Sequence, residues 1–242
     1  GWGTTEMPLG EERETEEGEG LEHPTQVIQW ADKVFGVTTR YRRFSRRQRR
    51  RVAGLYFGIG GYDLNTLKDL DDIDYAHPAV IRLLRGFENS FPVYTHELAH
   101  HTDQTARVDM AKLVKAGDPR VSKFIPDTKQ FLGGMANQLL FEGPAGEARW
   151  AEMEKELKQL DYLVVHAVTK GKEIDWEEEG RLSEGFAEYM RHWLTVGMEE
   201  ALHVAPKFHV WFHATYPTYF PENYENFKTL RAKVKLWEKA GW

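Results

Sequence analysis

The stretch 94–104, YTHELAHHTDQ, decides how this chain is read. On an α-helix, residues four apart lie one above the other on the same face. His96 and His100 thus present two imidazoles to one ion, with Glu97 beside them. Thr95, Leu98 and Ala99 are uncharged, as a buried metal-binding helix requires. Asn89 or Ser90 can cap the helix, Pro92 fits its first turn, and no Pro or Gly interrupts 93–104. Zinc held by two His and one carboxylate keeps a position open for water, and a neighbouring Glu can take that water's proton. The bland alternative is a surface helix that happens to carry three His and a Glu.

The missing ligand decides between them. RLSEGFAEYMRHWL (181–194) offers Glu184 and Glu188, four apart and again on one helical face. One carboxylate can close the metal shell while the other accepts a hydrogen bond from a liganding imidazole. His-Glu-x-x-His followed by Ser-Glu-Gly-Phe-Ala resembles the gluzincin metallopeptidases. The resemblance implies a zincin-like fold, a Zn²⁺ cofactor and a peptide or protein substrate. It implies His96, His100 and Glu184 as ligands, Glu97 as general base and Glu188 as the residue orienting a ligand. Gluzincins also carry a Tyr, His or Arg donor for the oxyanion; Tyr189, His192, Tyr219 and Tyr224 are candidates, and His192 is the one named. The chain departs from the family in the separation of 84 positions from His100 to Glu184, so a helical insertion of about 105–180 is expected. A Gly-rich β segment, EGFAEYMRHWLT and PENYENFKTLRAKVKLW also resemble the metallopeptidase-like domain of large polyvalent phage proteins, over roughly residues 30–240.

The surrounding sequence is organised to hold such a site. HPTQVIQWADKVFG (23–36) reads as a short helix ended by Gly36, VAGLYFGIGGYDL (52–64) as a broken β segment, LNTLKDLDDI as a helical turn, and AVIRLLR (79–85) as a strand. Residues 145–168 and the segment from Pro221 carry apolar groups at helical spacing. The expected fold is α+β: a small N-terminal sheet and a mostly helical remainder bearing the two motif helices. Residues 21–242 form one domain in this reading. Residues 1–20 hold seven Glu against Arg13 and read as a linker or solubilising arm.

Zero Cys excludes disulfides and thiolate metal sites. No apolar run is long enough to span a bilayer and no signal peptide is visible, which points to a cytoplasmic protein with no membrane partner. The first residue is Gly rather than Met, as in a processed product or a piece of a longer polypeptide.

Residues 39–51 hold eight Arg: Arg40, Arg42, Arg43, Arg46, Arg47, Arg49, Arg50 and Arg51. Clustered guanidiniums bind phosphates without sequence preference, so a nucleic-acid-binding module is one rival function; a solvated face is the plain alternative. The other rival is a catalytically silent zincin-like scaffold, which intact Glu97 argues against. FGIGGYD (57–63) lacks the strand–GxGxxG–helix context of a nucleotide loop and reads as a tight turn. His209 and His213 are four apart but lack an acidic partner, so aromatic packing is preferred to a second metal pair. His101 is expected on the surface or in the cleft, and Asp103 at a solvated helix end.

Overall fold

The computed structural model describes residues 20–43, 53–58, 78–119, 144–169 and 178–240. The acidic arm 1–19, the Arg-rich residues 44–52 and the Gly-rich turn 59–63 lie outside the described residues, as does LNTLKDLDDI.

Helix α1 spans Pro24–Phe35. His23 caps it by accepting from Thr25 N–H, the Gln26 side chain accepts from His23 N–H, and Gly36 ends it at φ 69°. That left-handed conformation is what favours glycine here. Strand β1 (Thr38–Arg42), β2 (Gly54–Phe57) and β3 (Val80–Leu84) follow. They form one sheet in the order β1-β3-β2, with β1 parallel and β2 antiparallel to β3. Strand β1 lies inside the basic segment: Thr39 and Tyr41 turn inward while Arg40 and Arg42 are exposed. Alternation with a period of two is present, but the exposed Arg positions obscure it to a reading by hydrophobicity.

Helix α2 (Phe91–Lys115) carries the quoted stretch, and Ser90 Oγ accepts from Val93 N–H at its start. It runs to Lys115, so residues 105–115 of the expected insertion prolong the metal helix. The remaining helices are α3 (Pro144–Thr169), α4 (Glu178–Thr195), α5 (Met198–Val204), α6 (Pro206–Tyr219) and α7 (Pro221–Lys239). The α+β expectation holds: a small mixed sheet precedes a largely helical body. No described helix is long and apolar enough to cross a membrane.

Helix α4 is the hub, packing on α2, α3, α5 and α7. Phe186, Tyr189, Trp193, Phe208, Phe212 and Phe227 are fully buried around it. Each such side chain contributes about 1.5–3 kcal/mol through burial. Glu156 of α3 caps α6, accepting from Lys207 N–H at 3.0 Å and Phe208 N–H at 2.9 Å. Arg231 of α7 donates to the Val196 carbonyl at the end of α4. The carboxylate meets a helix N-terminus and the cation a C-terminus, as the helix dipoles favour.

Candidate metal centre

Helix α2 turns two i,i+4 pairs toward two different neighbours. His96 and His100 meet α4, whereas Glu97 and His101 meet β2. The two faces are about 100° apart, the rotation of one helical residue.

Three side chains converge on the α4 side. His96 Nε2 lies 3.0 Å from Glu184 Oε2, His100 Nε2 lies 3.2 Å from Glu184 Oε1, and the two Nε2 atoms are 3.3 Å apart. These are the atoms that can hold one metal ion. A tetrahedron with bonds of about 2.0–2.1 Å has edges of about 3.3 Å, so their spacing fits zinc. The other face of each imidazole is oriented by α4. His96 Nδ1–H donates to Glu188 Oε1 at 2.8 Å, and His100 Nδ1 is hydrogen-bonded to Ser183 Oγ at 3.1 Å. Nε2 of both rings faces the same point, so a metal ion bound there would displace any Nε2 proton and take both lone pairs. The donor set contains no thiolate and one carboxylate, which suits Zn²⁺ with a position left for water.

Electrostatics follow from this crowding. Burial would lower the proton affinity of His96 and His100, but contact with Glu184 raises both, helped in His96 by Glu188. Burial would raise Glu184, yet the two imidazoles hold it well below the usual carboxylate range. Burial likewise opposes ionisation of Glu188, and hydrogen bonds from His96 and Arg191 overcome it. Glu97 goes the other way: burial raises it, more than the imidazoles lower it.

On the β2 side, a Cβ on Gly54 would stand 2.9 Å from both Cγ and Oε1 of Glu97 and 2.8 Å from Val93 Cγ1. The strand backbone thus lies directly against the Glu97 carboxylate. Two residues on, Tyr56 Oη is 3.0 Å from His101 Nδ1, while His101 Nε2 is 2.7 Å from the Phe35 carbonyl. That carbonyl can only accept, so Nε2 carries the proton and Tyr56 donates to Nδ1. His101 is 2% exposed, and burial lowers its pKa to about 4. The expectation of a surface or cleft residue is corrected: His101 ties α1, β2 and α2 together. Asp103 is also buried, because α2 continues past it, and it is not at a helix end.

The structure thus brings His96, Glu97, His100, Glu184 and Glu188 together. His192 has Nε2 3.4 Å from Arg191 Nη2 and Nδ1 3.5 Å from Glu200 Oε1. Tyr189 turns to the opposite side of α4, where Oη meets His209 Nδ1 at 2.7 Å and His213 Nε2 at 2.9 Å. Tyr224 Oη contacts His213 Nδ1 at 2.8 Å, and Tyr219 packs half-buried against the core. His209 and His213 belong to this aromatic cluster, as expected. Ser183, Gly54, Tyr56 and Arg191 were not singled out by sequence. Ser183 was within reach, since it immediately precedes the third ligand; Gly54 and Tyr56 carry no local signal.

This is a zinc-metallopeptidase-like architecture, a His/His/Glu triad with a buried Glu beside it, and it supports a hydrolase. No family model, curated protein or solved structure matches the chain.

Proposed function

We propose that the protein is a zinc-dependent peptidase, with His96, His100 and Glu184 as ligands and Glu97 as general base. The observation that carries this is the convergence of the two Nε2 atoms and the Glu184 carboxylate within 3.3 Å, beside buried Glu97. Zinc bound there would polarise a scissile carbonyl and lower the pKa of a water. Glu97 accepts that water's proton and returns it to the leaving amine, a role that a carboxylate raised by burial suits. Glu188 and Ser183 keep the rings from rotating.

Strand β2 supplies the place for an extended peptide. Ala53 C=O accepts from Leu84 N–H. Amides alternate sides in an antiparallel pair, so Gly54 and Tyr56 turn theirs to the outer edge. Among the described residues no strand pairs that edge. A substrate strand added there runs beside Glu97.

Metal analysis of the purified protein beside Glu184→Ala is the test. About one zinc per chain, lost in the variant, is expected. Glu97→Ala should keep the metal and lose hydrolysis of a mixed fluorogenic peptide set. No zinc, or zinc indifferent to Glu184, overturns the proposal; zinc without hydrolysis by the unaltered chain leaves a scaffold. An oxyanion role for His192 requires its ring to leave Arg191 and Glu200, and His192→Ala with unchanged turnover removes it. The nucleic-acid alternative has Arg40, Arg42 and Arg43 among the described residues, with all three exposed. A steep loss of DNA affinity with salt would support it. Residence within a longer phage protein is supported by the sequence resemblance alone.

A further inference from the structure

We infer that Arg191 is a positioning residue of the metal centre, holding the Glu188 carboxylate in the orientation that sets the His96 ring. The inference rests on the zinc reading above and deepens it.

Glu188 is a buried carboxylate with both oxygens in use. Oε1 accepts from His96 Nδ1–H at 2.8 Å. Oε2 accepts from Arg191 Nε–H at 2.8 Å, and Nη2 of the same guanidinium is 2.8 Å away as an ion pair. With His96 on Oε1 and the cation on Oε2, both oxygens are held and the carboxylate plane is restrained against rotation, which the bond to His96 alone would not do. Arg191 lies three residues after Glu188 on α4, so the pair is neighbouring on one helix face. The acceptor for His96 is therefore oriented from within α4. An exposed i,i+3 ion pair would contribute little, but here the Glu188 side chain is only 6% exposed and the Arg191 side chain 28%. The cation also offsets the charge of a carboxylate standing behind a metal ligand, leaving Glu184 as the anion facing the triad's centre.

The polar chain does not stop at Arg191. Its Nη2 approaches His192 Nε2 at 3.4 Å, and His192 Nδ1 faces Glu200 of α5 at 3.5 Å. The arrangement runs from α5 through α4 to the His96 ring. Within it Arg191 and His96 each hold one oxygen of the orienting carboxylate.

The experiment is zinc affinity of the full chain by competition with a chromophoric chelator, for the unaltered protein, Arg191→Ala, Arg191→Lys and Glu184→Ala. Visible absorption of the cobalt-substituted forms and melting of the metal-free forms accompany it. Arg191→Ala is expected to bind zinc about tenfold more weakly, as loss of a partner behind a metal ligand does. Its cobalt bands should shift while metal-free melting stays unchanged, and Arg191→Lys should recover most of the loss. Zinc affinity and cobalt bands indistinguishable from the unaltered protein overturn the inference. So does a loss of affinity matched by a loss of metal-free stability and not recovered by Lys, which would make Arg191 a packing residue. If the unaltered chain binds no zinc, the metal reading falls and this inference with it. If Glu184→Ala alone loses zinc, only this inference falls.

Discussion

At Gly54 the β2 backbone comes so close to Glu97 that any side chain would compete with the carboxylate for space. The missing Cβ lets Glu97 lie against the backbone of β2. Gly54→Ala should therefore displace the Glu97 carboxylate and leave His96, His100 and Glu184 in place. We expect turnover to fall by up to about 10²-fold, the cost of misplacing a catalytic group by an ångström. Zinc content should not change; equal losses of zinc and turnover would show that the glycine serves folding instead. A buried carboxylate beside two imidazoles was foreseeable from the His96–His100 spacing. The glycine facing it was not, because residues 54 and 97 meet only when the sheet packs on α2. His101 makes the same point. Its neighbour His100 is exposed to the site, yet one residue's rotation turns His101 into the interior, against Tyr56 and the Phe35 carbonyl.

Helix α4 presents Ser183, Glu184 and Glu188 to the metal side and Tyr189 to the core. Its depth is set by Gly185, where a Cβ would collide with the Leu157 carbonyl of α3. Gly185→Ala must push the two helices apart, and Glu184 is its immediate neighbour. Overpacking of this kind costs about 1–3 kcal/mol. The expected result is a lowered urea midpoint together with weakened zinc binding; a midpoint equal to the unaltered protein would refute the close crossing. Behind the helix, Tyr189 bridges His209 and His213. Tyr189→Phe leaves buried imidazole nitrogens without a partner, which costs about 1–3 kcal/mol. That variant should lose stability on urea titration but retain its zinc, since the hydroxyl faces away from the triad. Helical periodicity made the two faces of α4 visible in advance. The identity of the partners on each face was not, for His209 and His213 reach Tyr189 only through the packing of α6.

Across the whole molecule, burial keeps several histidines neutral. It lowers His101 and His209 to about 4, and burial aided by His209 lowers His213 to about 2. In the unfolded chain all three titrate near 6.5. Between these values the unfolded state binds more protons, so stability rises with pH there. The contribution is complete above pH 6.5 and is lost as pH falls toward 4, by about 1.4 kcal/mol per unit for each fully responding His. His96 and His100 are shifted upward by Glu184, so their share is complete below 6.5 and is lost as pH rises through their folded values. Urea unfolding with a chelator present, compared at pH 7 and pH 5, should give the lower midpoint at pH 5. Equal midpoints would mean that these rings are not held neutral. By itself the sequence determined the two metal motifs, the α+β order of elements, the bounds of α1 and α3 and the start of α7, because helical spacing, caps and breakers act within a few residues. Only the tertiary structure decided that residues 84 apart form one centre, that β2 lies against Glu97, that His101 packs against Tyr56 and the Phe35 carbonyl, and that His192 sits beside Arg191 and Glu200. Those outcomes depend on which faces pack together, and packing joins residues that local periodicity treats as unrelated.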